Sequence, residues 1–257
     1  MNLFNALILG IVEGITEFLP ISSTAHLIIT SKLLHLSQTE FLKFFEVFIQ
    51  SGAILAVVFM YFKYILNNKK LIPKIIVSFI PTAIVGLIME KIIKKYFFNS
   101  LQLIIVSMFI IGLAFIVFEY LVKRKKIKLV KSINRLDTNQ AIIIGIIQSL
   151  AVIPGVSRAG AVMLGMMALG YKRNESATYS FLLAVPTILA ASGLELIKID
   201  FKILSNSNNL ILLAIGFIVS FVTAYISVKW LINFLQKKSL IIFGLYRVLT
   251  SFILFMI

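Results

Sequence analysis

The chain has 257 residues, 60% of them hydrophobic, a formal net charge of +15 and no cysteine. Soluble domains are nearer about 45–50% apolar and the mean hydropathy here is +1.03, so a soluble domain is excluded and an integral membrane protein expected. The charge is no nucleic-acid footprint, because Lys and Arg fall in short loops between apolar segments, the pattern of loops beside anionic headgroups; without cysteine, disulfides and thiolate metal sites are excluded too, leaving oxygen or imidazole ligands.

In chain order, the first apolar segment covers residues 3–34 and is broken at Pro20-Ile-Ser-Ser. It lacks a basic leader and runs straight into a Glu/His motif, so no cleavable signal peptide is expected. Three spans follow, at 43–64, 71–90 and 101–121. A Lys/Arg-rich link covers 123–135. The next apolar segment, 138–170, is broken at Pro154-Gly155-Val-Ser157-Arg158. Spans at 176–196, 209–230 and 239–257 complete the chain. About 20 residues cross the hydrocarbon core. Each half of a broken segment is too short for that, so both are expected to be re-entrant helix hairpins. Non-helical backbone at that depth requires surrounding protein or a wet cavity.

The two broken segments resemble each other. GIVEGITEFLPISS aligns with GIIQSLAVIPGVSR, placing Gly10 against Gly145, Glu13 against Gln148 and, after a one-residue slip, Ser22 against Ser157. Ile54-Leu-Ala likewise matches Ile188-Leu-Ala. The expected fold is therefore all-α and integral to the membrane, with six transmembrane helices plus two re-entrant hairpins in an inverted-topology repeat. Residues 1–257 form one domain with halves 1–125 and 136–257, each a hairpin (3–34 or 138–170) and three spans. Paired broken helices in inverted halves point to a site where the breaks meet. Loops around 63–74, 123–135, 172–173 and 229–238 hold 16 of the 25 Lys and Arg, which makes that side cytoplasmic and puts both termini outside. Lys91, Lys94 and Lys95 are the dissenting cluster.

Glu13 and Glu17 are four apart, on one face of a short helix. Acids inside a membrane helix cost about 2.5–3.5 kcal/mol each, and like charges this close need a proton or a cation between them. The competing reading is a solvated helix face, which the flanking Ile, Phe and Leu oppose. In Ser22-Ser23-Thr24, one hydroxyl can cap the next helix while another faces the site. His26 lies three residues after Ser23, on the same side of that helix. At the second break Gly155 permits close backbone approach, the following helix directs N–H groups at the break, and Arg158 supplies a planar cation suited to phosphate; the alternative is a cap and a snorkelling arginine. Glu46, Gln50 and Gln148 are weaker candidates for lining the cavity. Arg247 either pairs with an acid or reaches the interface.

EGITEFLPISSTAH and PGVSRAGAV resemble the two signature motifs of undecaprenyl-diphosphate phosphatase, the bacitracin-resistance (UppP/BacA) family. FEVFIQSGAILAVV, FLLAVP and the closing LYR also fit, so the resemblance covers essentially the whole chain. It implies a multi-pass enzyme of the bacterial inner membrane that hydrolyses undecaprenyl diphosphate to the monophosphate. That step recycles the cell-wall lipid carrier and confers bacitracin tolerance. It implies dependence on a divalent cation, Mg²⁺ or Ca²⁺, and a site open to the periplasmic side. By resemblance Glu13 and Glu17 are the acidic pair and hold the metal. Ser23 and His26 lie at the reacting phosphate, and Ser157 and Arg158 cradle the diphosphate. Ser22, Thr24, Gly155 and Gln148 are the further substrate-binding candidates. Ser23 is the expected nucleophile with His26 the base or leaving-group acid; the alternative has His26 attack directly or activate water while Ser23 only binds phosphate. Two hydroxyls that the family often carries after the arginine are replaced by Ala159 and Val162, and Ala25 stands for a frequent glycine. The expected partners are the isoprenyl diphosphate and membrane lipids, with a homodimer as the candidate assembly and no nucleic acid. The rival function is a transporter or flippase for a lipid phosphate or small anion, which needs charge and shape but no nucleophile–base pair.

Overall fold

A computed structural model describes residues 1–92, 96, 100–199 and 201–256. Lys94 and Lys95, counted above on the non-cytoplasmic side, lie outside the described residues. Every named element is helical: α1 (Leu3–Thr16), α2 (Ser23–Leu33), α3 (Glu40–Asn67), α4 (Leu71–Ile92), α5 (Leu101–Lys123), α6 (Thr138–Ser149), α7 (Arg158–Ala168), α8 (Arg173–Lys198), α9 (Phe201–Leu204), α10 (Ser207–Lys237) and α11 (Ile241–Met256). Five of them, α3, α4, α5, α8 and α10, are long and apolar enough to cross a membrane, which makes this a multi-pass membrane protein. The span expected at 239–257 is the 16-residue α11, about 24 Å long at 1.5 Å per residue and short of the roughly 30 Å hydrocarbon core. Isoleucines on α4, α5 and α10 remain exposed, as lipid-facing side chains do.

Both broken segments are helix–break–helix, interrupted at Pro20 in the first and at Pro154-Gly155 in the second. Residues 17–22 separate α1 from α2, and a 3-10 turn (Leu150–Val152) plus residues 153–157 separate α6 from α7. The halves of each fold back on one another, and the hairpins are held by matched crossings: α1 packs on α10 and α6 on α4, α3 on α10 and α8 on α4, α3 on α8, and α5 on α11. These crossings are close because small residues stand there. A Cβ at Gly14 would fall 1.9 Å from Thr223 Oγ1 and 2.5 Å from Ser220 O, and one at Gly145 would fall 2.4 Å from Ser78 O. Thr223 donates to Gly10 O (3.4 Å) and Thr82 to Gly145 O (3.2 Å), the two glycines that align in sequence.

The basic loops gather at one end. Glu119 of α5 accepts from Arg173 Nε (2.7 Å), Arg173 Nη2 (2.5 Å) and Leu240 N (2.8 Å). Lys74 donates to Leu136 O, and Lys172 N to Lys131 O (3.1 Å). The loops read as cytoplasmic therefore share one face.

Candidate active site

The two breaks end alike. Ser22 (φ 76°) caps α2, accepting from Ala25 N at 3.4 Å, and Ser157 (φ 71°) caps α7, accepting from Gly160 N at 3.2 Å. Left-handed backbone at a non-glycine residue is costly and persists where its surroundings hold it, commonly at functional sites. Each cap is followed by an expected site residue, Ser23 after the first break and Arg158 after the second. Gly155 (φ +93°) must be glycine twice over, since a Cβ there would also fall 2.5 Å from Ile104 O.

Glu17 joins the breaks. Its Oε2 accepts from Ser23 Oγ at 2.5 Å, and its Oε1 pairs with Arg158 Nη2 at 2.9 Å. Arg158 Nη1 donates to Ser180 O of α8 at 2.8 Å, and its guanidinium stands 5.9 Å from the centre of the Phe18 ring. Arg158 Nε is buried and has no partner among the described residues. Glu17, Ser22, Ser23 and Thr24 from the first break and Gly155, Ser157 and Arg158 from the second line one cavity of about 150 Å³. Gln50 of α3 and Thr187 of α8 complete its polar wall, and Ala151, Ile188 and Ala191 its apolar wall. Such a cavity can seat a small anion: it combines a fixed cation, hydroxyls and two helix N-termini.

Three expected site residues stand outside this lining. Glu13 is fully buried on α1, and neither carboxylate oxygen has a hydrogen-bond partner among the described residues; its charged surroundings are Glu17, Glu46 and Arg158. His26 points away. Its Nδ1 lies 2.7 Å from Ser22 O and its Nε2 2.7 Å from Tyr246 Oη, with the two rings stacked 5.7 Å apart. A carbonyl can only accept, so Nδ1 carries the proton and Nε2 accepts from Tyr246. Gln148 is buried against α4, donating to Thr82 Oγ1 at 2.8 Å. Of the weaker candidates Gln50 reaches the cavity, whereas Glu46 accepts from Ser31 at 2.7 Å. Ala159 and Val162 are buried away from the cavity lining, Val162 in the core with Ile144 and Tyr171, so the missing hydroxyls are not missing from its wall.

One contributor, Thr187, escapes the sequence reading, and another, Arg247, finds partners other than those expected. Thr187 aligns with Ala53 in the repeat, and nothing in that alignment singles it out. Arg247, fully buried on α11, donates to Met108 O (3.3 Å), Pro20 O (3.1 Å), Gly155 O and Val156 O (3.2 Å). It pairs with no acid among these partners and reaches no interface.

Fold and site together define a class: a multi-pass helical membrane protein whose two broken helices join an acid, a hydroxyl and an arginine around one cavity. Sequence comparison narrows it further. The family model described as "Bacitracin resistance protein BacA" matches residues 6–253, and the chain belongs to that family. Similar proteins include one named "Undecaprenyl-diphosphatase" from Aquifex aeolicus, 44% identical over 253 residues, covering 98% of this chain and 97% of that one. Proteins of the same name from Persephonella marina (43% identical, 98% of each chain) and Campylobacter jejuni serotype O:6 (41% identical, 99% of this chain and 94% of the relative) are also similar.

Proposed function

We propose that this chain is an undecaprenyl-diphosphate phosphatase, which releases inorganic phosphate from undecaprenyl diphosphate and returns undecaprenyl phosphate to cell-wall synthesis, giving tolerance to bacitracin. One observation carries this reading beyond the family: Ser23 Oγ bonded to Glu17 Oε2, with the other oxygen of Glu17 paired to Arg158 of the opposite break. A nucleophile, a proton acceptor and a phosphate-binding cation share a cavity. A carrier for the same anion needs only the cation.

The reaction is phosphoryl transfer, in which the protein contributes mostly position and charge. The terminal phosphoryl group sits against Arg158, Ser157 and the N–H groups that open α2 and α7. Ser23 Oγ attacks phosphorus and its proton passes to Glu17. The bond to the bridging oxygen breaks, and undecaprenyl phosphate leaves. Water then hydrolyses the phosphoserine, releasing phosphate and restoring Ser23. His26, held by Ser22 O and Tyr246, orients the first turn of α2 and does not act on phosphorus in this arrangement.

Glu13 and Glu17 would hold the divalent cation, Mg²⁺ or Ca²⁺. The residues fit it, since Glu13 offers a buried carboxylate beside that of Glu17, with no donor to either oxygen among the described residues. No group of three His, Cys, Asp or Glu gathers among the described residues, so diphosphate oxygens would complete the ligand set. When bound, the ion neutralises charge on the diphosphate.

We read the fold as an inverted repeat with α11 as a short sixth crossing and both broken segments as re-entrant. The matched crossings of α1 on α10 and α6 on α4 support the repeat. The gathering of basic loops at one end supports a cytoplasmic face there, in the inner membrane, with the cavity open to the periplasmic side. The test is phosphate release from undecaprenyl diphosphate by the purified protein in detergent. The wild type should release one phosphate per lipid and Ser23→Ala less than a tenth of its rate. A folded wild type that releases none would favour the transport reading, and a Ser23→Ala variant above a tenth would remove Ser23 as nucleophile.

A further inference from the structure

Arg247 is the largest fully buried side chain among the described residues, and the reaction above makes no use of it. An unpaired buried charge is costly, so its surroundings must stabilise it strongly. Among the described residues they do so with backbone carbonyls. Pro20 O belongs to the first break and Gly155 O and Val156 O to the second, while Met108 O lies on α5. The breaks are where carbonyls lose their helical partners, and buried carbonyls need donors. A guanidinium presents five N–H groups in one rigid plane and can meet carbonyls from several directions at once; an ammonium is a point on a flexible stem. Gly155 contributes through its backbone, whose left-handed turn accompanies a carbonyl directed at Arg247. The preceding residue, Tyr246, meets His26 about one turn beyond the first break's serines.

Resting on the hydrolase reading, we infer that Arg247 is a positioning residue: it cross-links the two breaks through their carbonyls and so fixes the separation at which Ser23 and Arg158 face one cavity. It touches neither substrate nor metal. Its loss acts through the geometry of the breaks, and a misplacement of about 1 Å at a reacting centre lowers rate by roughly a hundredfold.

The chain has no cysteine, so spin labels can be placed on Leu19→Cys and Val152→Cys, one beside each break, without other changes. The distance between them is measured with Arg247, Arg247→Lys and Arg247→Gln, together with phosphate release per folded molecule and Tm. With Arg247 the distance should be single and narrow. Arg247→Gln should broaden it and lower kcat about a hundredfold, and Arg247→Lys should fall between. A purely structural role would lower Tm but leave the distance and the turnover of the folded fraction unchanged, and that result overturns the inference. If Arg247→Gln does not fold, Arg247→Lys decides: a distance and kcat equal to those of the parent overturn it. A wild type that releases no phosphate would sink the hydrolase reading alone, because the label distance does not depend on turnover.

Discussion

Glu17 and Arg158 come from opposite breaks and meet at 2.9 Å, with side chains only 8% and 11% exposed. Glu17→Ala leaves the guanidinium beside a cavity with one carbonyl partner, Ser180 O, and removes the acceptor of Ser23. Removing one partner of a buried pair costs about 3–5 kcal/mol. The cavity admits some water, so about 3 kcal/mol is the appropriate figure, or roughly 6–12 °C in Tm for a chain of this size. Arg158→Ala should cost a similar amount, since it leaves the carboxylate buried. Once either is gone the other has nothing left to lose, so Glu17→Ala/Arg158→Ala should be little worse than either alone. The expected coupling is then about 3 kcal/mol, the upper end of the range for contacting groups. Thermal unfolding of the four proteins in one detergent measures it. Additive losses would show that the two breaks are not joined through this pair, and the reasoning about a shared cavity would fail.

Four further outcomes follow from particular contacts. Gly14→Ala should destabilise the protein by about 1–3 kcal/mol or more from overpacking, read as a lower Tm, because the Cβ would fall 1.9 Å from Thr223 Oγ1; Gly86→Ala, with nothing within 4 Å, should be neutral or stabilising by up to about 1 kcal/mol. Glu119→Ala should destabilise by about 3 kcal/mol, the lower end of the buried-pair range because Arg173 is a quarter exposed, yet leave kcat per folded molecule intact, since Glu119 lies about 18 Å along α5 from Ser107 beside Gly155. Tyr246→Phe removes the donor to His26 Nε2 and should reduce kcat less than Ser23→Ala does; an equal loss would return His26 to the reacting phosphate. A chelator should abolish phosphate release by the wild type, and Mg²⁺ or Ca²⁺ should restore it; full activity in excess chelator would remove the cation from Glu13 and Glu17.

Much of the architecture was legible because the bilayer sets lengths. Five long apolar runs became α3, α4, α5, α8 and α10, and the breaks lie at Pro20 and at Pro154-Gly155. The last run, expected at 239–257, is the shorter α11, because composition gives apolar length and not helix length. Division of labour between Ser22 and Ser23 was readable from capping chemistry: one accepts from Ala25 N while the other meets Glu17. The direction of His26 was not, since its partner lies 220 residues away and helical spacing alone put it beside Ser23. The partners of Arg247 were not legible for a related reason. Sequence patterns reveal side chains that pair with side chains, whereas all of its partners are backbone carbonyls, which every residue carries.

The central claim is that one hydrolytic site is built from both breaks. Phosphate release from undecaprenyl diphosphate by purified wild type, Glu17→Ala and Arg158→Ala, each with and without EDTA, tests it most directly. The account predicts metal-dependent release by the wild type and its loss in both variants while each remains folded. Metal-dependent release that survives in folded Arg158→Ala would contradict it, by confining the chemistry to the first break.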